Sequence, residues 1–406
     1  MRDIRAVPTL FLIVVIDLVG FGLVIPLLPF YAVRFGASPQ LVTSLLAVYS
    51  LMALLSAPLW GRLSDRIGRR PVLMSSLAAG ALAYLWMGAA DALWMLFAAR
   101  GLAGICAGNI AAAQAYIADI TKPEDRAKGM GLIGAAFGLG FIIGPAFGGL
   151  LAGNNPAAAD IEIPAWVAAG LSFVALCGVV VMLRESLPAD QRGGRGRSRN
   201  RFVAILEVLR RPVLSRLLLI FFLVILAFAG MESTFALWAI GQFGWGPRQI
   251  GYVFSYVGLL SATLQGGMIG RLTGLFGEER LLLCGLALIG VGLLVLPLAH
   301  GLAVLALAVT TLALGMGLMQ PSLSSLISRR AGREEQGEVM GVSQSVGSLS
   351  RVLGPVAAGF FFGEFGRDAA FFWDAVLVAA ALFMALKLIG GPGAERLAAT
   401  EPDASR

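Results

Sequence analysis

About twelve apolar runs, each of roughly twenty residues and separated by short clusters of charge, set what this chain can fold into. A hydrocarbon core about 30 Å thick takes about 20 helical residues to cross. Inside it every backbone N–H and C=O must be paired within the protein, which helices do on their own. The runs read as Pro8–Tyr31, Gln40–Gly61, Val72–Ala89, Leu93–Ala118, Gly129–Ala152, Pro164–Leu183, Val213–Ile240, Ile250–Arg271, Leu281–Leu298, Ala303–Ile327, Val339–Gly363 and Ala370–Ile389. Composition agrees. Hydrophobic residues make up 58% and charged residues 14%, against roughly 25% charged in soluble domains. Mean hydropathy is +0.83. The expected fold class is an all-α membrane protein with twelve transmembrane helices.

The net charge of +7 could suggest a nucleic-acid partner. Its distribution argues against one. Only Arg34, Arg248 and Arg367 fall in loops on one side, while the other carries Arg2, Arg5, Arg62, Arg66, Arg69, Arg70, Lys122, Arg126, Lys128, the arginines of 184–216, Arg271, Arg280, Arg329, Arg330 and Arg333. By the positive-inside rule the basic side is cytoplasmic, which puts both termini inside an inner (cytoplasmic) membrane. The first span is too long for a signal peptide, carries Asp17 and lacks a small-residue cleavage site. Cys106, Cys177 and Cys284 lie far apart within spans, and His300 is the sole histidine. No disulfide, metal or cofactor is expected. Without a metal cluster, nucleotide loop or Ser–His pair, an enzyme is not expected either.

The chain repeats itself. Gly144-Pro145 recurs as Gly354-Pro355 at an offset of 210, and Met130-Gly131 as Met340-Gly341. Glu124-Asp125-Arg126 has its counterpart in Glu334-Glu335-Gln336, and Gly61 and Gly68 theirs in Gly270 and Gly277. This divides the chain into a six-helix half over 1–184, a basic linker over 185–212, a second half over 213–390 and a cytoplasmic tail over 391–406. Parallel repeats of this kind build secondary transporters whose substrate binds near the midplane, between the halves. The linker is rich in Gly, Ser and Arg and cannot bury a core. Its segment Phe202–Leu209 is apolar enough for a short interfacial helix. The linker reads either as a site for anionic lipid headgroups or as ordinary positive-inside sequence. A monomer is expected.

Between the second and third runs lies Gly61-Arg62-Leu63-Ser64-Asp65-Arg66-Ile67-Gly68-Arg69-Arg70-Pro71. Gly61 and Gly68 permit close approach and positive φ. Pro71 suits the first turn of a helix. This stretch resembles the loop 2–3 signature of the major facilitator superfamily. Its wording is similar to that of the drug/proton antiporters, the tetracycline exporters in particular. Gly138-(x)-Gly140-(x)3-Gly144-Pro145-(x)2-Gly148-Gly149 is similar to the superfamily's antiporter signature, more common in exporters than in uptake systems. The sequence departs from the tetracycline exporters at three points. Ala83, not an acid, precedes Tyr84; Leu260-Ser261-Ala262 replaces a histidine in the eighth span; Leu288-Ile289-Gly290 replaces an acid in the ninth.

Charged residues within spans are costly and usually functional. Asp17, mid-way through the first span, is expected to carry the coupling proton; a structural ion pair or a bond to a broken helix is the other reading. Arg100 lies roughly 10 Å inside the fourth span. A buried guanidinium needs an acid or carbonyl ligands, and Asp17 is the expected partner. Glu232 reads as a second proton site, a binder of cationic compounds, or an acid near the interface. Arg351 reads as an anion binder, a partner of Glu232, or a structural arginine. Asn109, Gln114, Gln320 and Gln344 are expected to line the cavity or to join helices. Phe137 and Phe235 would suit an apolar pocket or plain packing. Pro145 kinks its helix, and Gly144 beside it permits close packing, a seam expected to flex between states.

The gating set is Gly61, Asp65, Arg69, Arg70, Asp119, Gly144 and Pro145. In the fold the resemblance implies, the second and eleventh helices meet between the halves. Asp65 is therefore expected to cap the N-terminus of the eleventh helix, oriented by Arg69, which pairs with Asp119. The expected function is proton-coupled export of an amphiphilic small molecule. The alternative is proton-coupled uptake of a small anionic solute through Arg351.

Overall fold

The computed structural model describes residues 6–121, 126–188, 190, 192, 207–331 and 335–390. The core of the linker (193–206), the tail (391–406), and Glu124, Asp125 and Glu334 lie outside them. Twelve helices are long and apolar enough to cross a membrane: α1 (Val7–Arg34), α2 (Pro39–Ile67), α3 (Arg69–Gly88), α4 (Leu93–Ile120), α5 (Gly129–Ala152), α6 (Glu162–Met182), α7 (Pro212–Phe243), α8 (Pro247–Phe276), α9 (Glu278–Leu298), α10 (Leu302–Arg330), α11 (Gln336–Phe365) and α12 (Ala369–Ile389).

The two halves pack alike. In the first, α1 packs on α5 and α6, α3 on α6, and α2 on α4. In the second, α7 packs on α11 and α12, α9 on α12, and α8 on α10. Glycines set these seams, because hydrocarbon supplies no hydrophobic drive and backbones must approach closely for dispersion to act. A Cβ on Gly144 would meet Gly22 of α1, and one on Gly354 would meet the Leu226 carbonyl of α7. The same offset of 210 carries Gly20, against Ala168 of α6, onto Gly230, against Asp374 of α12.

Charged helix ends extend beyond the apolar runs, and this corrects the expected loop between α2 and α3. Only Gly68 separates the two helices. Its φ of +107° is one that a residue with a side chain rarely adopts. Its N–H closes α2 on Ser64 O at 3.1 Å. Gly277 (φ +78°) performs the same turn between α8 and α9. Gly61, expected to make a close approach, faces open space.

The halves touch chiefly through α5 with α8 and α2 with α11, with smaller contacts of α7 on α1 and α2 and of α8 on α1. These contacts lie away from the arginine-rich end of the bundle. At the opposite end a Cβ on Gly149 would meet Pro247 and Arg248, one on Gly251 the Pro145 carbonyl, and one on Gly359 the Thr43 hydroxyl. Gln40 Nε2 donates to Glu364 Oε1 at 3.2 Å, and Ser255 Oγ to Ile142 O at 2.7 Å. Toward the basic end, Gly61, Gly131, Gly134, Gly270, Gly274, Gly337 and Gly341 on the same four helices have nothing near them. The bundle is closed at one end and open at the basic one.

Candidate transport site

Asp17 stands on α1, half-buried at the seam with α4 and α6. Asn109 Nδ2 donates to one carboxylate oxygen and Ser172 Oγ to the other, the latter at 3.2 Å. Arg100 is not its partner. The Arg100 guanidinium lies over the Tyr49 ring of α2, 4.5 Å from the centroid. Arg100 is buried, its Nε lacks a hydrogen-bond partner, and it has no carboxylate within ion-pair distance among the described residues. The expected pairing fails for a geometric reason. Nine residues of α4 separate Arg100 from Asn109, about 13 Å along a helix, and Asp17 is held at the Asn109 level. The ring substitutes for a counter-ion through cation–π attraction, of about 2 kcal/mol or more when desolvated.

Asn109 reaches Asp17 because α4 is broken. Its helix runs over Leu93–Ile105, stops at Cys106-Ala107-Gly108, and restarts over Asn109–Ile120. Three neighbours take up the freed backbone groups. Ser76 Oγ of α3 donates to Cys106 O and accepts from Gly108 N at 3.2 Å and Asn109 N at 3.0 Å. Ser56 Oγ donates to Gly104 O, and Trp60 Nε1 to Ile105 O. The Trp60 ring fills the space that a Cβ on Gly108 would take.

Tyr49 is the residue that the sequence reading missed. Its ring lies tilted against Phe21, with centroids 5.3 Å apart, and Phe21 in turn meets Phe141 edge-on at 6.4 Å. Tyr49 lies within electrostatic reach of Asp17, Arg100 and Arg351. Arg351 of α11 is exposed and interacts electrostatically with Glu232 of α7 and with Tyr49. No ion pair joins Arg351 to Glu232 among the described residues. Gln114, Gln320 and Gln344 are exposed and Phe137 is half-buried. Phe235 is not on an open wall; it is buried between Trp238 and Phe254, with ring centroids 6.1 and 5.9 Å away.

At the basic end, Arg69 is buried and ties four groups together. Its Nη1 donates to Asp65 Oδ1 at 2.6 Å and Ser64 Oγ at 3.0 Å, and its Nε to Asp119 Oδ2 at 3.0 Å. Glu185, unforeseen, caps α3: Oε1 accepts from Arg69 N at 2.8 Å and Oε2 from Arg70 N at 3.1 Å. Arg70 Nη2 donates to Val180 O at 2.6 Å. The Asp65 carboxylate makes no bond to the first turn of α11 among the described residues, because the halves stand apart at this end.

The sequence model described as Major Facilitator Superfamily matches residues 10–269 and 241–404. Tetracycline resistance protein, class C, of Escherichia coli is 34% identical over 84% of this chain and 86% of its own length. Multidrug resistance protein 2 of Bacillus subtilis is 28% identical over 89% and 90%. The crystal structure of the human organic anion transporter MFSD10 (TETRAN) aligns with a TM-score of 0.70 at 28% identity, over 94% of this chain and 99% of that one.

Ser76 braces the α4 break on three backbone groups. Ser76→Ala should therefore destabilise the protein by about 1–3 kcal/mol, the cost of leaving buried groups unpaired. Thermal melting in detergent checks this; an unchanged Tm would mean that Ser56 and Trp60 hold the break alone.

Proposed function

The chain belongs to the Major Facilitator Superfamily, and from that membership we propose that it is a proton-coupled secondary transporter exporting an amphiphilic small molecule by alternating access. The observation that carries this is Asp17. Its carboxylate lies between two side-chain donors, Asn109 and Ser172, in a bundle open at the basic end. Two donors can solvate the carboxylate once its proton has left, without an arginine to fix the charge permanently. Charge asymmetry supports a cytoplasmic basic end. In this reading Asp17 releases its proton to the cytoplasm and the compound enters the same open cavity. The halves then rock about the α2–α11 and α5–α8 contacts, and an incoming proton on the outer side displaces the compound.

The wall supports an amphiphilic cargo. Tyr49, Phe21 and Phe141 offer ring faces, while Arg351 and Glu232 offer one charge of each sign. Relatives named for tetracycline and multidrug resistance support drug-type export. The protein works as a monomer in the inner membrane. Asp17→Asn should insert normally and abolish proton-driven accumulation in inverted vesicles. A wild-type gradient in the Asn variant would exclude Asp17 as the carrier.

A second reading, uptake of a small organic anion, draws on the exposed Arg351 and on the likeness to an organic anion transporter. Arg351→Ala should weaken anionic and zwitterionic compounds at least tenfold more than lipophilic cations. Equal losses across a charge-varied panel would make Arg351 structural.

The Arg69 cluster supports a latch. Asp65 is half-exposed and bonded to Arg69 here; when the cytoplasmic ends close, the same carboxylate would meet the positive N-terminus of α11, a gain of about 0.3–1 kcal/mol, up to about 2 when partly buried. Asp65→Asn should raise the inward-open population and slow turnover without altering which compounds bind. Spin-label distances between the cytoplasmic ends of α2 and α11 measure this; an unchanged distribution with transport lost would discard the latch.

A further inference from the structure

Asp374, in the second turn of α12, takes no part in the site above. It is 1% exposed, and neither carboxyl oxygen has a hydrogen-bond partner. Its carboxyl group packs on the bare Cα of Gly230 in α7, where a Cβ would collide with it; Ala358 of α11 closes the third side. An ionised carboxylate cannot remain in such a place: it would have lost its water and gained neither donor nor counter-ion. The charged residues of the surrounding helices do not supply one. On α7, Glu232 is two residues beyond Gly230 and so on another face of the helix. On α11, Arg351 turns to Glu232 and Tyr49, and Glu364 to Gln40. On α9, Glu278, Glu279 and Arg280 sit at the cytoplasmic start. On α12 itself, Lys387 lies at the far end and Arg367 and Asp368 precede the helix.

The seam around Asp374 is polar in one direction only. Toward the outer face, Thr234, one turn past Gly230, donates Oγ1 to Gly230 O at 3.0 Å. One turn further, the buried Trp238 donates Nε1 to Asp368 Oδ1 at 2.8 Å, and Asp368 meets solvent beside Arg367. Toward the cytoplasm the buried residues of α7 and α12 nearest in sequence, Leu226, Val378, Ala381, Ala385 and Leu388, are apolar. The buried Trp238 ring stands edge-on to Phe371 at 5.7 Å, about one turn nearer the start of α12 than Asp374.

We propose that Asp374 is a second proton-binding site, loaded from the outer aqueous phase along the α7–α12 seam and occupied while the outer side is shut. The proton adds to a carboxylate oxygen when the seam opens, is retained as the neutral acid behind Trp238, and returns to the same outer phase at the next opening. It is not carried across. Asp374 therefore biases the conformational equilibrium and leaves proton stoichiometry to another group; the inference does not require Asp17 to be that group. The sign follows from the burial. The neutral acid is the form that fits the closed seam, so lower outer pH favours the outer-closed state.

Infrared difference spectroscopy of the full-length protein in lipid should show the carbonyl stretch of a protonated carboxylic acid that Asp374→Asn removes. In D2O the shift of that band should be slow, and at least tenfold faster in Trp238→Phe, which loses the bond to Asp368. Spin labels at the outer ends of α2 and α11 should report a closed population that grows as outer pH falls in wild type. In Asp374→Asn that population should be high and independent of pH. Asp374→Leu, apolar and of similar volume, serves the same comparison should the Asn variant fail to fold. A spectrum unchanged by either substitution, or a wild-type pH response in both, would overturn the proposal.

Discussion

Within a bilayer each peptide group must be paired by the protein itself, and a span that departs from helix needs a side chain at the point of departure. Ser76 meets that demand for α4. Its one hydroxyl serves a carbonyl and two amides at the break, and the restart of the helix at Asn109 follows from it. Without the break, the residue at that level would present its side chain along a continuous helical face. With it, the Asn109 amide turns to the Asp17 carboxylate while its own Oδ1 accepts from Ile110 N. The acid, the break and the hydroxyl that holds the break belong to three different helices of one half.

The second half is built on the same plan but uses its polar groups differently. The seam of α1 with α6 carries an acid solvated by Ser172; the corresponding seam of α7 with α12 carries Asp374 against bare glycine. One carboxyl group is half-buried and has two donors, and the other is buried with none. Equivalent seams thus hold acids in two electrostatic settings, one acid on the first helix of its half and the other on the last helix of its half.

Much of this was legible in the sequence. Run length and charge asymmetry give twelve spans and two halves, and the offset of 210 aligns glycines that do pack in equivalent seams. The Arg69–Asp119 contact was legible because both residues fall at the same end of neighbouring spans. Arg100 was misread, since Asp17 was matched to its depth, whereas the structure holds Asp17 at the level of Asn109, further along α4. Tyr49 left no signal; a tyrosine in an apolar run looks the same whether it faces lipid, a cavity or a guanidinium. Asp374 was overlooked because it lies near a span end, where acids are common, and its isolation depends on the packing of α7. Glu185 lies in a charged linker, where sequence alone cannot single out the carboxylate that folds back.

That folded-back carboxylate has a mechanical consequence. Glu185 fastens the start of the linker to α3, and Arg211, bonded to Glu335 at 2.6 Å, fastens its end to the other half. Each end of the linker is thus tied to a helix of the half it joins, so that a pull along the chain is borne by α3 on one side and by the start of α11 on the other.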